Sequence, residues 1–169
     1  MTQQNDRSAD VRAALAAQEE ELQLDSFDHA DAWRLGTLIT EIAIAAGHGV
    51  GIDIRRPGLV LFRSALPGIA PDQQEWLERK AALTLRMETS SAAFAARMAE
   101  AGVDPRAIGW LDSGYAVAGG SFPLRVRGTG VVAAATASGL SSQDDHDLVV
   151  EGLRAFIAEK APRAGAKAR

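Results

Sequence analysis

At 169 residues with a formal charge of −4, the chain is long enough to bury one sizeable core and too acidic to read as a general nucleic-acid binder. It has no cysteine, which excludes disulfides, thiolate metal sites and cysteine nucleophiles. The hydrophobic share of 47% leans on alanine, and aromatics supply only 5%, so the core must depend on close backbone approach and many weak contacts.

The first helical pattern runs from Asp6 to Leu24, with Val11, Ala14, Leu15, Gln18 and Leu22 at helical spacing. Glu19, Glu20 and Glu21 crowd its far end, where carboxylates oppose the helix dipole. Residues 1–16 are expected to form a partly mobile helical region ahead of a single domain over 17–159. The polar opening Met1 to Asp10 leads into no apolar signal segment, and no stretch is long enough to span a bilayer. A cytoplasmic protein without membrane insertion is the expectation.

A second helix is predicted after Asp25-Ser26-Phe27-Asp28, with Ser26 or Asp28 as the cap and Gly47-His48-Gly49 as the stop. Val50 to Ile54 and Leu59 to Ser64 then flank Pro57-Gly58, which makes an antiparallel hairpin the natural reading, with Arg55 and Arg56 at its tip. Trp76, Leu83, Met87, Phe94 and Met98 recur on one stripe and predict a single long helix ending at Ala101-Gly102. Arg79 and Lys80 read as part of its solvated face.

From Tyr115 the pattern returns to strand. Tyr115 to Ala118 precede Gly119-Gly120, and Phe122 to Arg127 and Val131 to Ala137 follow, separated by Gly128-Thr129-Gly130. The alanine-rich segment Val131–Ala137 is a weak strand by propensity, and its small residues suit a central strand covered by helices on both faces. The last helix opens at Ser141, followed by an acid three residues later as in a capping box, and buries Leu148, Val149, Leu153, Phe156 and Ile157. Residues 160–169 read as a disordered basic tail. An α+β domain, with a mainly antiparallel sheet covered by helices, fits this order better than a βαβ series.

No acid–base pair or nucleophile stands out, so no catalytic residue is assigned. Asp144, Asp145 and Asp147 surround His146, yet neighbours on a helix diverge, and metal sites need pairs three or four residues apart. The acids read as complements to a helix N-terminus. His29 and His48 are too far apart to form a zinc element, so no tightly bound transition metal is expected. Gly119-Gly120-Ser121-Phe122-Pro123 is the most distinctive string: paired glycines let backbone approach a ligand, or make a bulge. Pro123 requires an edge, a strand start or a bulge. A ligand surface is therefore expected where the glycine pair meets the final helix, comprising Gly119, Gly120, Phe122, Arg125, Asp145 and His146. Binding there should respond between about pH 6 and 7 if the imidazole is unperturbed. In the structural alternative the glycines form a bulge, Phe122 is core and His146 tethers the helix.

Several strings occur together and in order. Gln18 to Gln23 run into Asp25-Ser26-Phe27; Ile52-Asp53-Ile54-Arg55-Arg56 precede Ala65-Leu66-Pro67-Gly68; then come Asp72, Glu75-Trp76, Arg79-Lys80 and Ser90-Ser91. Gly119 to Val126, Ser138-Gly139-Leu140 and Asp144 to Val149 complete the set. From about Ala17 to Ile157 the chain resembles an uncharacterised protein family related to the haem-degrading, GlcG/HbpS-like domains. That resemblance implies a profilin-like three-layer domain with a five-stranded antiparallel sheet, usually built into homo-oligomers. The wider superfamily includes haem-binding proteins and the C-terminal domain of some cobalamin adenosyltransferases, and a fungal relative is linked to tail-anchored-protein targeting. Members often carry histidine just before the glycine pair, where this chain has Ala118. Two functions follow as expectations: a small-ligand domain, with haem or another tetrapyrrole as ligand, in a homo-oligomer; or a non-catalytic oligomeric adaptor associated with chaperones.

Overall fold

A computed structural model describes residues 2–161. The elements in chain order are α1 (Thr2–Glu21), α2 (His29–Ala45), β1 (Gly51–Arg56), β2 (Leu59–Ala65), α3 (Gln73–Met87), α4 (Ser91–Ala101), β3 (Ser121–Val126), β4 (Gly130–Ser138) and α5 (Ser142–Lys160). Residues 162–169 of the expected tail lie outside the described residues.

The sheet order is β2-β1-β4-β3, and every neighbouring pair is antiparallel. The hairpin forms at Pro57-Gly58 with Gly58 at φ 76°, and the alanine-rich β4 is interior. Strand alternation sorts the two faces. Ile52, Ile54, Phe122, Leu124, Ala133, Ala135 and Ala137 point to one side and join Leu35, Ile39, Leu148, Val149, Leu153 and Phe156 of α2 and α5 in the main core. The opposite face carries Gly51, Asp53, Ser121, Ala134, Thr136 and Ser138, all buried, and α3 covers it. One side of the sheet is thus oily and the other small and polar. Pro123 sits on β3, an edge strand, where its missing N–H costs no ladder bond.

α2 opens with a capping box between Asp28 and Asp31. The predicted long helix is in fact two. Glu88 adopts a left-handed conformation (φ 50°, ψ 33°), and Ser90 then caps α4 by accepting a hydrogen bond from Ala93 N–H. The apolar stripe survives the break: Leu83, Phe94 and Met98 meet Leu111 in a second, smaller core. Glu19 also serves the new N-terminus, its Oε1 accepting from Ser90 N–H at 2.7 Å and Thr89 Oγ1 at 2.8 Å. The carboxylate that looked unfavourable for its own helix thereby favours another's start.

The sheet has four strands where five were expected. Tyr115–Ala118 is not a strand, because its backbone bonds elsewhere: Ala116 N–H donates to Arg79 C=O at 3.1 Å, and Arg106 donates to Tyr115 C=O at 2.7 Å. The outer side of β3 is met instead at Leu24, which accepts from Arg127 N–H and donates to Arg125 C=O as an isolated parallel bridge.

Candidate functional site

The glycine pair, the end of β4, the middle of α3 and the start of α5 converge on two buried charges. Asp145, in the first turn of α5, turns inward while Asp144 stays outside and bonds the Ser141 cap. Asp145 Oδ2 accepts from Lys80 Nζ at 2.7 Å, and its Oδ1 accepts from Leu140 N–H at 3.0 Å. Lys80 Nζ also donates to Ala137 C=O at 3.2 Å. The two side chains are 4% and 2% exposed. The expected solvated role of Lys80 is therefore incorrect: three residues beyond Leu77 and three before Leu83, it falls on the inward face of α3.

Gly120 closes this junction. Its φ is +121°, and a Cβ there would stand 2.6 Å from Ala137 O, 2.8 Å from Asp145 Cβ and 2.9 Å from Lys80 Nζ. A Cβ at Gly119 would fall 2.3 Å from Ser142 O. The bare backbone at both glycines is in contact with protein atoms. Next along β3, Ser121 bridges strand and helix: its N–H donates to Ser91 Oγ at 3.0 Å, and its hydroxyl pairs with Thr136 Oγ1 at 2.9 Å.

Phe122 and His146 are each 1% exposed, with ring centroids 5.9 Å apart. His146 Nε2 lies 2.9 Å from Gln18 Oε1; an amide oxygen accepts, so this pairing puts the ring proton on Nε2. Nδ1 is then a bare lone pair, buried without a partner. Burial pushes the imidazole pKa below its usual value, against the raising influence of Asp147 and Glu19. That moves the titration below the pH range expected for an unperturbed ring.

The structure thus brings together Gly119, Gly120, Phe122, Asp145 and His146. Arg125 lies apart, its Nη2 donating to Glu88 C=O at 2.7 Å and so holding the bend between α3 and α4. Beside Gly119 the surface opens. A cleft of about 510 Å³ is bounded by Trp76 of α3, Met98 of α4, and Val103, Arg106 and the segment Ala116-Val117-Ala118. Trp76 is held by Nε1 donating to Asp72 at 3.0 Å. Sequence reasoning missed this cleft because three of its walls come from separate segments that share no periodicity.

Comparison with known proteins agrees with this architecture. A UPF0303 protein of Rhizobium etli is 41% identical over 159 residues, covering 94% of each chain. Among solved structures, that of Ybr137w superposes with a TM-score of 0.79 at 30% identity, covering 92% of this chain and 95% of the other. A complex of PduOC with heme shares the fold, with a TM-score of 0.67 at 19% identity over 77% of this chain and 94% of the other. The family model described as haem degrading protein HbpS-like matches residues 27–154. The chain therefore belongs to the HbpS-like family, within its group of UPF0303 proteins.

Proposed function

We propose that the protein binds a flat, largely apolar ligand of the tetrapyrrole class in the cleft beside Gly119, as part of a homo-oligomer. The observation that carries this reading is the cleft itself. An indole, a thioether and small aliphatic side chains line it, with one guanidinium, Arg106, and one carboxylate, Asp104, at its polar end. Its volume of about 510 Å³ and its open side suit one face of a macrocycle, leaving the other for a second copy to cover. The haem-bound PduOC structure on the same fold makes haem the first ligand to consider.

The residues fit a macrocycle better than a histidine-ligated iron. Among the described residues lining the cleft there is no imidazole; Met98 supplies the one side chain that commonly ligates haem iron. Bound iron would supply redox chemistry; the one carboxylate lining the cleft among the described residues, Asp104, accepts from Arg106 N–H at 2.9 Å, and no degradation step is assigned. In this reading Gly119, Gly120, Phe122, Asp145 and His146 hold the cleft wall in place, with Arg125 fixing the bend behind it. They position the site without touching the ligand.

Titration of the protein with hemin and with metal-free protoporphyrin IX tests this. Both should bind with affinities within about tenfold of each other, since contact with the ring face dominates. Trp76→Ala should weaken both. Hemin binding that is lost in His29 or His48 variants, with no uptake of the metal-free ring, would overturn the proposal. Exposed Ile108 (65%) and Trp110 (40%) favour a second reading, an adaptor docking a protein partner near the same face. Failure of both porphyrins to bind would leave the adaptor as the better account.

A further inference from the structure

Beneath the tip of the β1–β2 hairpin, a buried carboxylate holds two arginines in place. Asp53 is 0% exposed. Its Oδ1 accepts from Arg55 Nε at 2.6 Å, and its Oδ2 from Arg63 Nε and Nη2 at 2.9 and 2.6 Å and from Arg55 Nη2 at 3.1 Å. Glu78 of α3 approaches both guanidiniums, at 3.5 Å from Arg55 and 3.7 Å from Arg63. In neither arginine does Nη1 bond a protein group among the described residues, and neither Nη1 is a buried orphan, so both reach solvent. Arg56, next to them, is exposed and forms no ion pair among the described residues. Three guanidiniums thus stand against two carboxylates, and the cluster carries one net positive charge.

A second concavity of about 320 Å³ opens beside this cluster, between the hairpin tip and α3. Arg55 and Arg56 form one end, with the Glu78 carboxylate beside them, and Leu59, Val60, Ala82 and Leu85 supply the apolar wall. Glu78, Ala82 and Leu85 lie on the flank of α3 turned away from Trp76, since two residues advance a helix by about 200°. The two concavities are therefore on opposite sides of one helix.

Burying an ion pair is weak evidence for stability, because desolvation offsets much of the attraction. Its effect on Arg55 is clearer: the guanidinium is fixed in one rotamer with an N–H edge outward. An anion that binds there need not order that side chain, which lowers the cost of binding. We propose that this pocket binds a small amphipathic carboxylate, its head on Arg55 and Arg56 and its apolar body against Leu59, Val60, Ala82 and Leu85. At roughly 30 Å³ per water-sized unit, the space holds about ten non-hydrogen atoms, the scale of a six- to eight-carbon acid. Hexanoate is the natural probe; acetate lacks the body, and 1-hexanol lacks the charge.

Calorimetry and amide chemical-shift titration against these three probes test the assignment on the full chain. Hexanoate should bind about tenfold or more tighter than either acetate or 1-hexanol, with shifts centred on residues 55–60 and 78–85. Arg56→Gln should weaken hexanoate about tenfold while leaving thermal unfolding unchanged, since Arg56 has no partner to lose. Val60→Asp should weaken it as well, through the apolar wall. Equal binding of hexanoate and 1-hexanol would overturn the proposal, as would shifts confined to other surfaces. So would a result in which hexanoate does not bind and Leu59→Asp turns an oligomer into monomers, since the pocket would then be an interface between copies.

Discussion

Lys80 and Asp145 lie 65 residues apart in sequence and 2.7 Å apart in space, each almost wholly removed from solvent. Their pairing ties α3, on the polar face of the sheet, to the first turn of α5, which packs on the apolar face. The contact runs past the end of β4 through Ala137 C=O.

Removing one member should be costly because the other charge stays buried. Lys80→Met should lower stability by about 3–5 kcal/mol, and Asp145→Leu by a comparable amount. The double variant Lys80→Met, Asp145→Leu should lose far less than the sum. Denaturant unfolding of the full cycle measures this; additive losses would mean that the two side chains act separately.

Gly120 is constrained by the same junction. Its φ of +121° is unfavourable for any L side chain, and Ala137 O would lie 2.6 Å from a new Cβ. Gly120→Val should cost at least about 3 kcal/mol, combining strain with displacement of Lys80 and Asp145. Gly119→Ala should also destabilise, since the clash at 2.3 Å is with backbone. If Gly120→Val kept the wild-type unfolding midpoint while changing porphyrin uptake, the glycine would be a contact residue and not a structural one.

The main frame was legible because patterning and turn chemistry agreed. Pro57-Gly58 marked the hairpin, Ser141 marked the start of α5, and the alanines of β4 marked a strand covered on both faces. The misses have a common cause, which is that tertiary partners supplied what local sequence did not. Glu88 breaks a continuous apolar stripe, and its left-handed conformation is secured by Arg125 from a strand 37 residues away. Tyr115–Ala118 has strand-like composition, but Ala116 N–H donates to Arg79 C=O and Tyr115 C=O accepts from Arg106. In the site, Asp145 and His146 were legible as residues of interest. Lys80 and Asp53 were not, because a lone charge beside other charges reads as solvated until its partner is seen.

His146 should make stability depend on pH on the acid side. Its folded-state pKa lies below the ordinary 6.5, so the unfolded chain binds the proton more readily. Stability is fully present above about pH 6.5 and declines as pH falls toward the depressed folded value. Asp147 and Glu19 temper the shift, and Gln18 holds the neutral ring. His146→Gln should flatten this part of the curve. Unfolding midpoints measured from pH 5 to pH 8 check it, and a stability that rose on acidification through this range in the wild type but not in the variant would show the sign to be wrong.

The bend at Glu88 offers the last test, because there the natural residue is not the best one for its backbone. A left-handed residue at the end of a helix is usually glycine, and a side chain in that conformation costs about 1–2 kcal/mol. Glu88→Gly relieves that strain, though glycine gives back part of the gain through the greater freedom of the unfolded chain. The exposed Glu88 side chain has no hydrogen-bonded partner among the described residues, so little else is lost. A net gain of about 0.5–1 kcal/mol is expected, read as a higher unfolding midpoint. Arg125→Ala should act in the opposite direction, since it strips the Glu88 carbonyl of a charge-assisted hydrogen bond and should cost about 1.5–3 kcal/mol. In the Glu88→Gly background the Arg125→Ala loss should remain, because the bond is to backbone. If Arg125→Ala instead left stability intact and reduced porphyrin binding, Arg125 would be a ligand contact and the bend would be held by its own caps.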